Sequence, residues 1–103
     1  MHFKIKISSK AIEDIQLASR WYNQQKNELG NHFKISIKNQ IEFLSKSPNA
    51  FSIKYKNIRC SPVSGFPFLI HYKLIKNKAT IQILAIFHTS RNPSIWKKRS
   101  ESK

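Results

Sequence analysis

Residues 66–75 read Phe-Pro-Phe-Leu-Ile-His-Tyr-Lys-Leu-Ile, and this stretch decides the fold. Phe66, Phe68, Ile70, Tyr72 and Leu74 alternate with Pro67, Leu69, His71, Lys73 and Ile75, the period of two that a strand requires. Lys76-Asn77-Lys78 then reads as a hairpin turn, because Asn tolerates the left-handed backbone of tight turns. Thr80 to Phe87 is apolar on both faces, above all at Ile83-Leu84-Ala85-Ile86, as in a central strand. Arg91-Asn92-Pro93 closes that strand, and Ser94 starts a short C-terminal helix or arm. Upstream, residues 53–60 hold a short strand ending around Ile58-Arg59-Cys60.

Before residue 50 the apolar period differs. Phe3, Ile5 and Ile7 alternate with Lys4, Lys6 and Ser8 as a short half-buried strand. Ser8 or Ser9 caps a helix, with Glu13 and Asp14 near its positive end. Ala11, Ile15, Ala18 and Tyr22, with Ile12 beside them, follow helical spacing, and Trp21 widens the stripe. Leu29-Gly30-Asn31 interrupts the pattern as a tight connection. Phe33, Ile37, Ile41 and Leu44 then form one face of a second helix, stopped at Ser47-Pro48-Asn49. The order β-α-α-β-β-β plus a tail predicts an α+β fold, a helical hairpin on one face of a mostly antiparallel sheet.

The chain has 103 residues, enough for one domain over 1–103 and too few for two. Nineteen Lys and Arg against five Asp and Glu give a net charge of +14. The excess is lopsided: residues 1–42 carry a net +3 and residues 43–103 a net +11, with Glu101 as the only acid of the second part. Such crowding of like charge points to a polyanionic or strongly acidic partner; a solubility effect of the lysines is the plainer alternative. No apolar run approaches the ~20 residues of a membrane span. The N-terminal Met1-His2-Phe3-Lys4-Ile5 lacks the apolar core of a signal peptide, so a cytoplasmic location is expected. The single Cys60 has no disulfide partner within the chain. Neither a metal-ligand spacing nor a phosphate-binding glycine loop occurs, and no cofactor is expected.

The order and spacing of several residues resemble toxins of the RelE/ParE superfamily. Trp21-Tyr22, Leu29-Gly30, Phe33, Ile37 and Pro48 match its helical hairpin. Ile58-Arg59, Val63, Phe66-Pro67, Ile70 and Tyr72 resemble its middle strands. Ile83 to Ile86, His88, Arg91, Pro93, Trp96 and Arg99 resemble its last strand and tail. The resemblance implies a growth-inhibiting toxin of a type II toxin–antitoxin system, such as those that stabilise plasmids, neutralised by a cognate antitoxin. ParE-like members inhibit DNA gyrase, whereas RelE-like members cut mRNA on the ribosome without metal. The long Trp21-Tyr22 hairpin and the ending after the last strand are more similar to the ParE branch.

Metal-free RNA cleavage requires a base, cations for the developing phosphorane charge, and an acid for the leaving oxygen. Lys54, Lys56, Arg59, His88 and Arg91 are the candidates. Arg59 and Arg91 carry the planar fork that grips phosphate or carboxylate. Crowded cations lower a lysine's pKa, and an imidazole such as that of His88 is the side-chain type suited to proton transfer. Lys54 and Lys56 flanking Tyr55 also fit a solvated strand face, and His88 fits a strand end hydrogen-bonded to backbone. For target or nucleic-acid binding the candidates are Arg59, Arg91, Trp96, Lys97, Lys98 and Arg99. Trp96 either stacks on a base or pins the C-terminus to the domain. No tyrosine follows Tyr72 and no acid lies between Glu42 and Glu101, which excludes a carboxylate base in the sheet. Three readings therefore stand: a gyrase inhibitor, a metal-independent endoribonuclease, and a non-toxic basic binding module.

Overall fold

A computed structural model describes residues 2–101, so Met1 and the last two residues of the domain read over 1–103 lie outside it. The architecture is α+β, with strand β1 (Lys4–Ile7), helices α1 (Ser9–Gln25) and α2 (Leu29–Lys46), then strands β2 (Ile53–Tyr55), β3 (Ile58–Val63), β4 (Phe66–Ile75) and β5 (Thr80–His88), and helix α3 (Pro93–Glu101). The sheet order is β1-β5-β4-β3-β2. Every pair is antiparallel except β1 with β5, which run parallel from Lys4↔Thr80 to Ile7↔Ile83.

Local chemistry explains most boundaries. The Ser8 hydroxyl accepts the Ala11 amide at 3.1 Å, the N-cap that the sequence predicts. At the C-terminal helix, the Asn92 side chain accepts the Ser94 amide at 2.9 Å and Pro93 occupies the first turn, where its missing N–H costs nothing. Three details differ from the sequence reading. The segment 53–60 holds two strands, because Lys56 and Asn57 both adopt positive φ (44° and 65°) and fold a two-residue hairpin there. The β4–β5 turn places its left-handed residue at Ala79 (φ 46°) rather than at Asn77. The break between the helices falls before Leu29, with Glu28 left-handed at φ 70°.

Gly30 consequently lies in the first turn of α2, where it solves a packing problem. Its amide donates to Asn23 Oδ1 at 2.7 Å and its carbonyl accepts from Ser19 Oγ at 3.4 Å. A Cβ at this position would run into the Ser19 carbonyl oxygen. The missing side chain lets α1 and α2 touch backbone to backbone.

The hairpin's apolar stripe meets one face of the sheet. Phe33, Ile37, Ile41 and Leu44 of α2 and Ala11 of α1 pack with Val63, Ile70, Tyr72, Ile81, Ile83 and Ile86. Tyr22, Phe33, Phe66 and Phe68 interlock with centroids 5.0–6.1 Å apart, edge-to-face except for the tilted Tyr22–Phe33 pair. Trp21, expected to widen that stripe, is 56% exposed instead. Residues opposite in register share a face, so Arg59 lies on the helical side with Tyr72, whereas Cys60, His71 and Ala85 point to the other side.

Gly30→Ala is expected to cost about 1–3 kcal/mol, the range of overpacked cores. Urea denaturation checks this, and an unchanged midpoint would show that the two helices separate freely.

Candidate functional site

The sheet face away from the α1–α2 hairpin is covered by α3. Trp96 packs on His71 and Tyr55 with ring centroids at 4.8 and 5.8 Å, and His71 contacts Phe87 at 5.1 Å. Between the two possibilities read from the sequence, Trp96 here pins the tail. Arg99 lies over the Phe87 ring at 4.8 Å and grips the Asp14 carboxylate with both guanidinium nitrogens, at 3.0 and 3.1 Å. Asp14 Oδ2 also accepts the Ile86 amide at 3.0 Å. The helix and the sheet edge are thus tied through one carboxylate.

Under Trp96 sits a buried polar trio that sequence reasoning passed over. The Tyr55 hydroxyl lies 2.8 Å from His71 Nδ1, and Cys60 Sγ lies 3.5 Å from the same nitrogen. Burial, with Arg99 adding to it, lowers the His71 pKa to about 4, so the ring is neutral at pH 7. Burial raises Tyr55 to about 12, assisted by Cys60 and opposed by Arg99. Tyr55 therefore keeps its proton and donates it to Nδ1. Burial also raises Cys60 to about 11 against the lowering effect of Lys54, which keeps the thiol protonated and a poor nucleophile. The only sequence signal for this trio was its alternation with core residues on adjacent strands.

The candidates from sequence separate into groups. Arg91 is exposed, with its guanidinium 5.8 Å from the Phe87 centroid, so Arg91 and Arg99 converge on one ring. Lys97 and Lys98 are exposed on the same helix. Arg59 is not part of this group: it donates to the Phe51 carbonyl at 2.6 Å on the opposite face and clamps the loop before β2. Lys54 is exposed on β2 and Lys56 occupies the β2–β3 turn, at the far edge of the sheet from β5. His88 ends β5 against Phe68 at 5.2 Å, on the helical face. Its Nδ1 accepts the Ser90 amide at 3.1 Å. Among the described residues no group of three or more His, Cys, Asp or Glu is placed to hold a metal ion. No helix of the described chain is long and apolar enough to cross a membrane.

Family comparison is decisive for this scaffold. The profile of the ParE toxin of type II toxin–antitoxin systems (parDE) matches residues 5–93. The chain belongs to the ParE toxin family. No curated protein matches its sequence. Among solved structures, the chromosomal ParDE toxin–antitoxin system of P. aeruginosa superposes with a TM-score of 0.73 at 22% identity, covering 84% of this chain and 96% of that one. A double-arginine mutant of E. coli toxin RelE in its free state gives 0.69 at 10% identity, covering 98% and 97%. The Mycobacterium tuberculosis RelBE2 toxin–antitoxin complex gives 0.61 at 11% identity, covering 85% and 99%. At these identities the solved structures establish the shared fold, which this ParE-family toxin carries with β1, the hairpin and α3 in the order predicted.

The buried imidazole makes stability depend on pH. Unfolded histidine titrates near 6.5, whereas His71 does so near 4. The unfolded chain therefore binds more protons between those values. The stabilisation is complete above about pH 6.5 and is lost as pH falls towards 4, by up to about 3 kcal/mol. Denaturant midpoints of the wild type should drop between pH 7 and 4.5. The drop should shrink in His71→Gln, which keeps an acceptor for Tyr55; an equal drop in both proteins would remove His71 as its source.

Proposed function

We propose that this ParE-family protein is a growth-inhibiting toxin that a cognate antitoxin neutralises, and that its target is DNA gyrase, inhibited by binding. The carrying observation is the cationic display of Arg91, Lys97 and Lys98 around the α3–Phe87 seam, in a molecule whose His71 is buried and neutral. His71 is sealed under Trp96, and His88 ends β5 with its Nδ1 accepting the Ser90 amide. A protein that presents guanidinium and ammonium groups together is equipped to hold an anionic surface. The antitoxin assignment draws on the ParDE and RelBE2 neighbours, both solved as toxin–antitoxin systems.

The second reading, mRNA cleavage on the ribosome, is favoured by one observation: the free RelE structure matches this chain over nearly its whole length, α3 included. Purified protein added to a supercoiling reaction and to a translation reaction separates the two. Loss of supercoiling with intact mRNA is expected. Arg91→Ala with Lys98→Ala should weaken that inhibition by about tenfold or more, as expected when two charge-assisted contacts are lost. Codon-spaced mRNA cuts together with normal supercoiling would overturn the gyrase assignment in favour of the nuclease.

A further inference from the structure

The outward flank of α1 is unlike the rest of the hairpin surface. Lys10, Asp14, Leu17 and Trp21 stand at i, i+4, i+7 and i+11, so they line one side of the helix. Asp14 fixes where that side looks, because its carboxylate meets the Ile86 amide and Arg99. The flank therefore faces the β5 edge and α3, away from α2. At its start a cavity of about 240 Å³ opens between the two helices, lined by Lys10, Ile95, Lys98 and Arg99. One and two turns beyond Asp14 come Leu17 and Trp21, 59% and 56% exposed. Two large adjacent apolar side chains held in water on a rigid helix, next to a cationic notch, are the signature of an interaction site.

Resting on the toxin–antitoxin reading above, we propose that this α1–α3 trough seats an acidic amphipathic segment of the cognate antitoxin. Apolar side chains of the segment cover Leu17 and Trp21, and its carboxylates enter the notch beside Lys98, where Arg99 is already paired with Asp14. Charge complementarity selects that occupant. The chain carries a net +14, and three of the four residues that line the notch are cations. A second copy of this toxin would bring another +14 to the trough and is disfavoured. The spacing also specifies the partner. Leu17 is seven residues from Lys10, or about 10 Å along the helix. The antitoxin segment therefore carries its acids about two helical turns from its apolar pair.

The test uses the full chain and the protein encoded by whichever short reading frame adjoins its gene. Leu17→Glu with Trp21→Glu is made beside a control, Ile35→Glu, whose side chain is 55% exposed on α2, away from the trough. Circular dichroism and thermal melting report folding, growth arrest reports toxicity, and calorimetry with co-expression reports antitoxin binding. The double variant should remain folded and toxic, lose about 30-fold or more in affinity, and escape neutralisation, as loss of a buried Trp anchor predicts. Ile35→Glu should bind within about twofold of wild type, as expected of a surface change outside the interface. If the glutamates unfold the chain, Leu17→Ser with Trp21→Ser and, separately, Lys98→Glu carry the binding measurement. Undiminished neutralisation of a folded double variant overturns the proposal while the toxin–antitoxin reading stands. So does a double variant that only converts a self-associated wild type into a monomer, which would assign the trough to a second copy. A wild type that neither arrests growth nor binds the adjoining product removes the reading itself, and the proposal with it.

Discussion

The structure turns on a strand that is too short. β1 ends at Ile7, after pairing with Thr80 to Ile83, while β5 runs on to His88. From Leu84 onward the edge of a strand buried on both faces would expose backbone groups with nothing to pair with, each costing as much as a lost hydrogen bond. Side chains replace the missing strand. Ser8 Oγ donates to the Leu84 carbonyl at 3.3 Å, and Asp14 accepts the Ile86 amide. A carboxylate in that position is only 14% exposed and needs a counter-charge, which Arg99 supplies. One backbone requirement thus recruits α1 alongside the edge and draws α3 to it.

Once Arg99 is held there, the rest of α3 has little freedom. Trp96, one turn earlier, falls on the face carrying Tyr55, Cys60 and His71 and seals it. The face would otherwise present an imidazole, a thiol and a phenol to solvent. Covered, these groups are neutral and serve packing, and Trp96 Nε1 is buried with no hydrogen-bond partner among the described residues. The cations on the outer side of α3 are displayed as a consequence of this docking. Attachment to the domain comes from Trp96 and Arg99, and the two lysines between them stay exposed.

Much of this was legible in the sequence, and the boundary between legible and illegible is physical. The Ser8 cap, the Phe33–Ile37–Ile41–Leu44 stripe and the alternation over 66–75 depend on nearest neighbours along the chain, and they appear where their periods place them. The Lys56-Asn57 hairpin escaped because lysine is a poor marker of positive φ, and Ala79 gave no sign of its left-handed backbone for the same reason. Arg59 and Arg91 look equivalent as letters. Register separates them: Arg59 stands opposite Tyr72 on the helical face and spends its fork on the Phe51 carbonyl, whereas Arg91 reaches the Phe87 ring. Trp21 fitted the apolar stripe by composition, but the narrow hairpin, set by Gly30, packs the half-buried Tyr22 against the core and leaves its neighbour outside. Contacts across 72 residues, such as Asp14 with Ile86, have no local signature at all.

The charge balance follows from the same economy of acids. Five carboxylate side chains serve nineteen cations, and the partly buried Asp14 is committed to holding the edge of β5 and the tail. The remaining positive charge has to be balanced from outside the chain, by counterions or by a partner. Screening acts over about 8 Å at physiological salt, so cations clustered on one helix repel each other within that range. An acidic partner that meets α3 and the notch beside it relieves this repulsion and covers Leu17 and Trp21 in the same event. Apolar burial then supplies affinity, while charge sets the approach rate and excludes basic competitors. On the docking proposed above, the same positive excess that the chain cannot neutralise internally would select for acidic character in its partner.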